Sequence, residues 1–155
     1  MRLQAEINRL TALPIEMEDG ATLNRDWTTY SGSGIALACF SRNTPLLSTE
    51  QVEEVARSIE RNYIPDAKIG LYKFPNRQEY SIDAVLVLPE ESQDLVVRVA
   101  AALGQESVYN LTSGENIKTG KDGSNPMPVS PILMADINKS VREGVMPDWL
   151  SAGQQ

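Results

Sequence analysis

At 155 residues, with 41% hydrophobic and 23% charged side chains, the chain can bury an ordinary core without a metal or a disulfide, which argues against a stapled miniature scaffold and against global disorder. Its net charge of −7 repels phosphate backbones, and its lysines and arginines are scattered, with Lys118 and Lys121 as a loose pair, so no basic stripe offers a nucleic-acid surface. An acidic surface attracts basic partners or simply keeps a domain soluble, and the second use is the commoner.

The segment "MRLQAEINRL" has no signal-peptide apolar run and no stretch approaches a membrane span, from which a cytoplasmic, membrane-independent protein is expected. Leu3, Ile7 and Leu10 fit a helix here, while Leu3, Ala5 and Ile7 alternate as in a strand, and both readings stay open. Residues 1–33 are taken as an N-terminal extension.

The core is expected over 34–111. "GIALACF", bounded by "SRNTP", reads as a short buried strand, and its Cys39, the only cysteine, as a packing residue. In "STEQVEEVARSIERNYIP", Ser48 and Gln51 form a capping box, Val52, Val55, Ala56, Ile59 and Tyr63 make an apolar stripe, and Pro65 marks the end of the helix. "AKIGLYKF" and "EYSIDAVLVL" read as a hairpin turning at "PNRQ"; Ile82, Ala84, Leu86 and Leu88 face one way, and Ser81, Asp83, Val85 and Val87 the other. A second helix follows with Ser92 as its cap and Gly104 as its stop, and "ESVYNL" is a closing strand. Strand, helix, strand, strand, helix, strand predicts an α+β fold of the ferredoxin-like βαββαβ type, with two helices on a four-stranded antiparallel sheet.

Residues 112–130 show no apolar periodicity and read as a loop or tether, leading to a C-terminal helix and tail at 131–155. Ser130 caps that helix, Pro131 suits its first position, Leu133, Met134, Ile137 and Val141 form its stripe, and Gly144 ends it.

The stretches "CFSRNTPLLSTEQVEEV", "YIPDAKIGLY", "DAVLVLP" and "LGQESVYNL" resemble a family of small uncharacterised bacterial domains over about half the chain, with Gln105 to Val108 as the sharpest element. The resemblance implies a Ser-capped helix after a short strand, an aliphatic strand ending at proline, and a closing "QESV" strand. It implies no activity and no catalytic residues. Members of that family commonly look exported, whereas "MRLQAEINRL" does not read as an export signal.

The chain has no histidine, which removes the commonest general base and metal ligand together with every Ser-His or Cys-His pairing, so no catalytic residue and no cofactor is assigned and a non-enzyme is favoured. Gly114, Gly120 and Lys121 imitate a phosphate loop, but five residues separate the glycines and Asp122 stands where a magnesium-binding hydroxyl belongs. Glu79 and Asp83, with Asp66 nearby, form a candidate acidic pair, although carboxylates on a sheet face usually serve solubility. Glu115, Asp122 and Asn125 lack the spacing of a calcium loop, the strands lack the aromatic and basic pattern of an RNA-binding sheet, and "NLT" at Asn110 is a chance-level glycosylation match.

Two functional expectations remain. The first is a non-catalytic protein-interaction or homo-oligomerisation module, with Val85 and Val87 on the sheet and Met146, Trp149 and Leu150 in the tail as partner-binding candidates. The tail residues can equally fold back on their own domain. The second is a small-ligand site in the long loop, with Lys118, Lys121, Asp122 and Asn125 supplying polar contacts, against which Pro126 and Pro128 favour a plain tether.

Overall fold

The computed structural model describes residues 2–61, 64 and 67–152, without the side chains of 151 and 152. Its elements are α1 (Arg2–Thr11), β1 (Asp19–Leu23), β2 (Ile35–Thr44), α2 (Thr49–Arg61), β3 (Ala67–Lys73), β4 (Tyr80–Leu88), α3 (Gln93–Ala102), β5 (Ser107–Asn110), β6 (Glu115–Lys118), α4 (Pro131–Arg142) and α5 (Asp148–Ala152). The protein is a mixed α+β fold whose strands form one antiparallel sheet in the order β1-β3-β4-β2-β5-β6, six strands among the described residues where four were expected. The chain divides into two compact units, Met1–Tyr30 with Phe40–Val85, and Ser31–Cys39 with Leu86–Gln155.

In the first unit the ambiguous N-terminal segment is a helix. Leu3, Ile7 and Leu10 are all buried, whereas Ala5, which a strand would have turned inward with Leu3 and Ile7, is exposed. Arg9 on the other side of α1 bonds both Glu6 and Asp19, at 3.0 and 2.5 Å, and so ties the helix to the start of β1. β1 itself was not foreseen within 1–33. It pairs with β3 from Asp19↔Lys73 to Leu23↔Ile69, and only Leu23 of its five residues is buried, so it shows no apolar alternation.

α2 buries Val52, Val55, Ala56 and Ile59 as expected, while Tyr63 and Pro65 lie outside the described residues. Its capping box is half formed. Ser48 Oγ accepts from the Gln51 amide at 3.4 Å, but the Gln51 side chain donates to Thr44 Oγ1 at 3.2 Å instead of turning back to Ser48. The β3–β4 hairpin turns through Asn76 in the left-handed region (φ 62°), whose amide donates to Ile15 O at 2.7 Å.

β2 runs on to Thr44 instead of stopping before "SRNTP", and it changes parity on the way. Ile35, Leu37 and Cys39 are buried, yet beyond Phe40 it is Arg42 and Thr44 that meet α2, through Glu54 and Gln51. Asn43 and Ser41 instead contact Glu79, just before β4, and Asp83 within it. A slip of one residue exchanges the two faces of a strand, which is why the sequence after Cys39 no longer looks like the strand before it.

In the second unit β2 pairs with β5 (Ile35↔Asn110, Ala36↔Tyr109) and β5 with β6. Asn110 explains β6. Its side-chain oxygen accepts from the amides of Thr112 and Ser113 at 2.9 and 3.0 Å, and Gly114 follows at φ 75°, so an Asx turn reverses the chain without any apolar signal. Asn110 is thus buried in a structural role, at odds with an acceptor for glycosylation.

Ser92 makes no capping bond; α3 is entered through a 3₁₀ turn, Glu90–Ser92, that places Ser92 in a non-extended conformation. The helix ends as expected at Gly104 (φ 78°), with the Gln105 amide donating back to Ala100 O at 2.9 Å in a Schellman closure. Ser130 Oγ accepts from the Leu133 amide at 3.3 Å, Pro131 opens α4, and buried Val129 and Met134 flank the cap as a hydrophobic staple. Met134, Ile137 and Val141 form its buried stripe, and Gly144 (φ 80°) closes it.

Candidate functional site

The stretch 112–130 begins with a strand and then wraps the end of α3. Thr119 Oγ1 donates to Gln105 O at 2.5 Å and the Met127 amide donates to Leu103 O at 2.7 Å, so both ends of the wrap are fixed. Between them lies a surface hollow of about 490 Å³, lined by Lys121, Asp122, Asn125, Gly104 and Met127 among others. Three of the four ligand-binding candidates therefore come together. Lys118 does not join them, because its ammonium pairs with Glu106 at 2.8 Å. Asp122 accepts from the amide and the hydroxyl of Ser124, at 2.9 and 2.7 Å, and these bonds hold its exposed carboxyl below the usual range.

The partner-binding candidates do not form one exposed patch. Val85 and Val87 are buried, and Leu150 is only 2% exposed. Met146 and Trp149 are half-buried, and the Trp149 indole donates to Asp136 of α4 at 2.5 Å. Tail residues are thus engaged within their own unit, the arrangement in which they fold back rather than reach outward.

The acidic pair of Glu79, just before β4, and Asp83, within it, is more unusual than its sequence suggested. Glu79 is tied to Arg77 Nε at 2.8 Å and to the Asn43 amide at 3.1 Å. Asp83 accepts from the hydroxyls of Ser81, at 2.7 Å, and Ser41, and burial pushes its carboxyl pKa up against the opposing pull of those hydroxyls. No cation pairs with it among the described residues. Beside it sits Gly70, where an added Cβ would come 3.0 Å from Val85 Cγ2 and 3.6 Å from the Asp83 carboxylate, so the missing side chain leaves the carboxylate its room. Asp66, the third acid considered, lies outside the described residues.

Lys73 was missed. It falls on the inward row of β3 with Ala67, Ile69 and Leu71 and is only 3% exposed, a position that strict alternation would have flagged. Its ammonium donates to three carbonyls, Ile15 at 3.2 Å, Met17 at 2.6 Å and Phe74 at 3.2 Å, and so stitches the α1–β1 connection onto the hairpin. Cys39 is buried as expected, and that burial pushes its thiol up to about 12, which keeps it an unreactive thiol at neutral pH. Among the described residues no cluster of acids and cysteine is grouped to hold a metal ion, and no helix is long and apolar enough to cross a membrane.

Comparison of the chain with protein-family models, with curated proteins and with solved structures finds no match.

Proposed function

We propose that the chain is a non-catalytic, cytoplasmic protein-interaction or homo-oligomerisation module, and that a basic side chain of its partner reaches the Asp83 carboxylate, which is half-buried on β4 between the buried Ser81 and Val85. The observation behind this reading is the Asp83 carboxylate, drawn out of water with hydroxyls but no cation beside it among the described residues. A desolvated carboxylate gains most from a charge-assisted partner, and the net charge of −7 steers basic surfaces toward the chain. The core of this module is read as a ferredoxin-like βαββαβ sandwich. The succession β2, α2, β3, β4, α3, β5 and the strand order β3-β4-β2-β5 support that reading, with β1 and β6 added at the two edges.

The test is zero-length carboxylate–amine cross-linking in the native host, followed by peptide mapping. A cross-link from Asp83 or Glu79 to a lysine of one partner, lost in Asp83→Asn, supports the module, and a link to a second copy of the chain makes it a homo-oligomer. Cross-links confined to other surfaces would overturn it.

A second reading, a small-ligand site, draws on the 490 Å³ hollow and its Lys121, Asp122 and Asn125. It requires the 121–128 segment to gain protection from protease when a small molecule is added, and equal cleavage with and without every compound tried would dismiss it.

A further inference from the structure

The first unit holds a second pocket, of about 270 Å³, where the α1–β1 connection passes the β3–β4 turn. Its lining is mixed: Thr11, Lys73, Arg77, Gln78 and Tyr80 are charged or polar, and Leu13 and Ile15 are aliphatic. We propose that this pocket binds a short aliphatic carboxylate, with the carboxylate toward Arg77 and Lys73 and the hydrocarbon against Leu13 and Ile15. This proposal stands independently of the interaction module.

The charge comes first. Lys73 spends its three N–H donors on the carbonyls of Ile15, Met17 and Phe74, and among the described residues no carboxylate pairs with it. Carbonyl dipoles solvate an ammonium without cancelling its charge, so the pocket wall keeps a positive potential that an anion relieves. Lys73 lends field rather than a hydrogen bond. The donors come from Arg77, whose Nε is taken by Glu79 while its guanidinium stacks over the Phe74 ring at 4.3 Å. Stacking fixes the guanidinium plane, and the two Nη groups of a fork so held match the two oxygens of a carboxylate.

The aliphatic side decides between anions. Ile15 is 57% exposed despite its size, and together with Leu13 it offers hydrocarbon that inorganic phosphate cannot use. The volume is just below the roughly 300–1,000 Å³ range of ordinary ligand pockets, which sets the ligand at a few carbons.

The experiment is an amide chemical-shift titration of the whole chain with butyrate, and with inorganic phosphate and n-butanol as controls, repeated on Arg77→Gln. Arg77 is largely exposed, so this variant keeps the fold. Saturable shifts with butyrate at the amides of Ile15, Lys73 and Arg77, weakened at least about tenfold in Arg77→Gln as expected for loss of a two-pronged charge-assisted contact, support the proposal. Four results overturn it: no saturable response to butyrate, equal affinity in Arg77→Gln, phosphate binding as tightly as butyrate, which would leave charge alone as the determinant, or butanol binding as tightly as butyrate, which would leave hydrocarbon alone.

Discussion

The indole of Trp149 donates to the carboxylate of Asp136 across 2.5 Å, so one charge-assisted hydrogen bond pins α5 to α4. Replacing Asp136 by Ala removes the acceptor and is expected to cost about 1.5–3 kcal/mol, and Leu150→Ala, at a buried position beside the pin, about 2–5 kcal/mol. Urea unfolding followed by tryptophan fluorescence measures both. An Asp136→Ala variant with unchanged stability would mean that the indole bond contributes nothing and that Leu150 alone holds the tail.

Lys73→Met keeps most of the unbranched apolar stem and strips three carbonyls of their shared donor. Loss of that donor is expected to destabilise the fold by about 2–4 kcal/mol, since buried acceptors left unpaired cost more than an average hydrogen bond contributes. Hydrogen exchange locates the effect: protection should fall first at Asn76, whose amide donates to Ile15 O in the same connection. A uniform loss of protection across both units would contradict the assignment of Lys73 as a local stitch.

For Asp83 the direction of the pKa fixes the pH dependence. Burial raises the folded-state value above the ordinary 3.8, so between 3.8 and the raised value the folded chain binds more protons than the unfolded one. Its contribution is fully present below 3.8 and is lost as pH rises through the raised value. Asp83→Asn should therefore lose that acid-side gain and, at neutral pH, be at least as stable as the parent. Parallel chemical-denaturation series from pH 3 to pH 7 on both proteins show whether the difference between them closes toward the acid end. A difference independent of pH would place the effect of the substitution in packing rather than in charge.

Gly34 adopts φ 130°, and an added Cβ would sit 2.7 Å from Leu88 O and 2.8 Å from Val87 Cγ1. Both the backbone conformation and the contact with another backbone exclude a side chain, so Gly34→Ala is expected to cost about 2–4 kcal/mol. Ser31→Ala, an exposed position in the same segment without the glycine constraint, serves as the control in the same thermal melts. Equal losses in the two variants would point to general sensitivity of the segment.

What the sequence revealed depended on whether a residue's physical role left a periodic trace. α2, α3 and α4 carried stripes of buried aliphatics, α3 and α4 also glycine stops, and these were legible. β1 and β6 stand at the sheet edges, where side chains such as Glu115 and Lys118 face solvent and nothing enforces alternation. β2 hid its second half because the change of parity after Cys39 moved Thr44, not Asn43, to the α2 side. Ser92 looked like a cap because composition marks a helix entrance but not the 3₁₀ turn that replaces it. The candidate ligand residues Lys121, Asp122 and Asn125 could be named from the loop, but Lys118 could not be separated from them without knowing that Glu106 lies within reach. Asp83 and Lys73 were visible only as letters. Their significance comes from withdrawal from water, which depends on neighbours far along the chain such as Ser41 and Ile15.

The division of β2 and β4 between two units bears on how the chain is made. Ile35 and Leu37 leave the ribosome long before their partner strand β5, and at ~5–20 residues per second the wait is on the order of several seconds. Until β4 emerges the first half of β2 is an apolar strand with no neighbour, and its β5 edge stays open after that, while its second half belongs to a unit that is complete once Val85 has emerged. Newly made chains are thus most prone to associate wrongly at Ile35–Cys39, and crowding of nascent chains on one message, rather than heating of the finished protein, is the condition under which that weakness is felt.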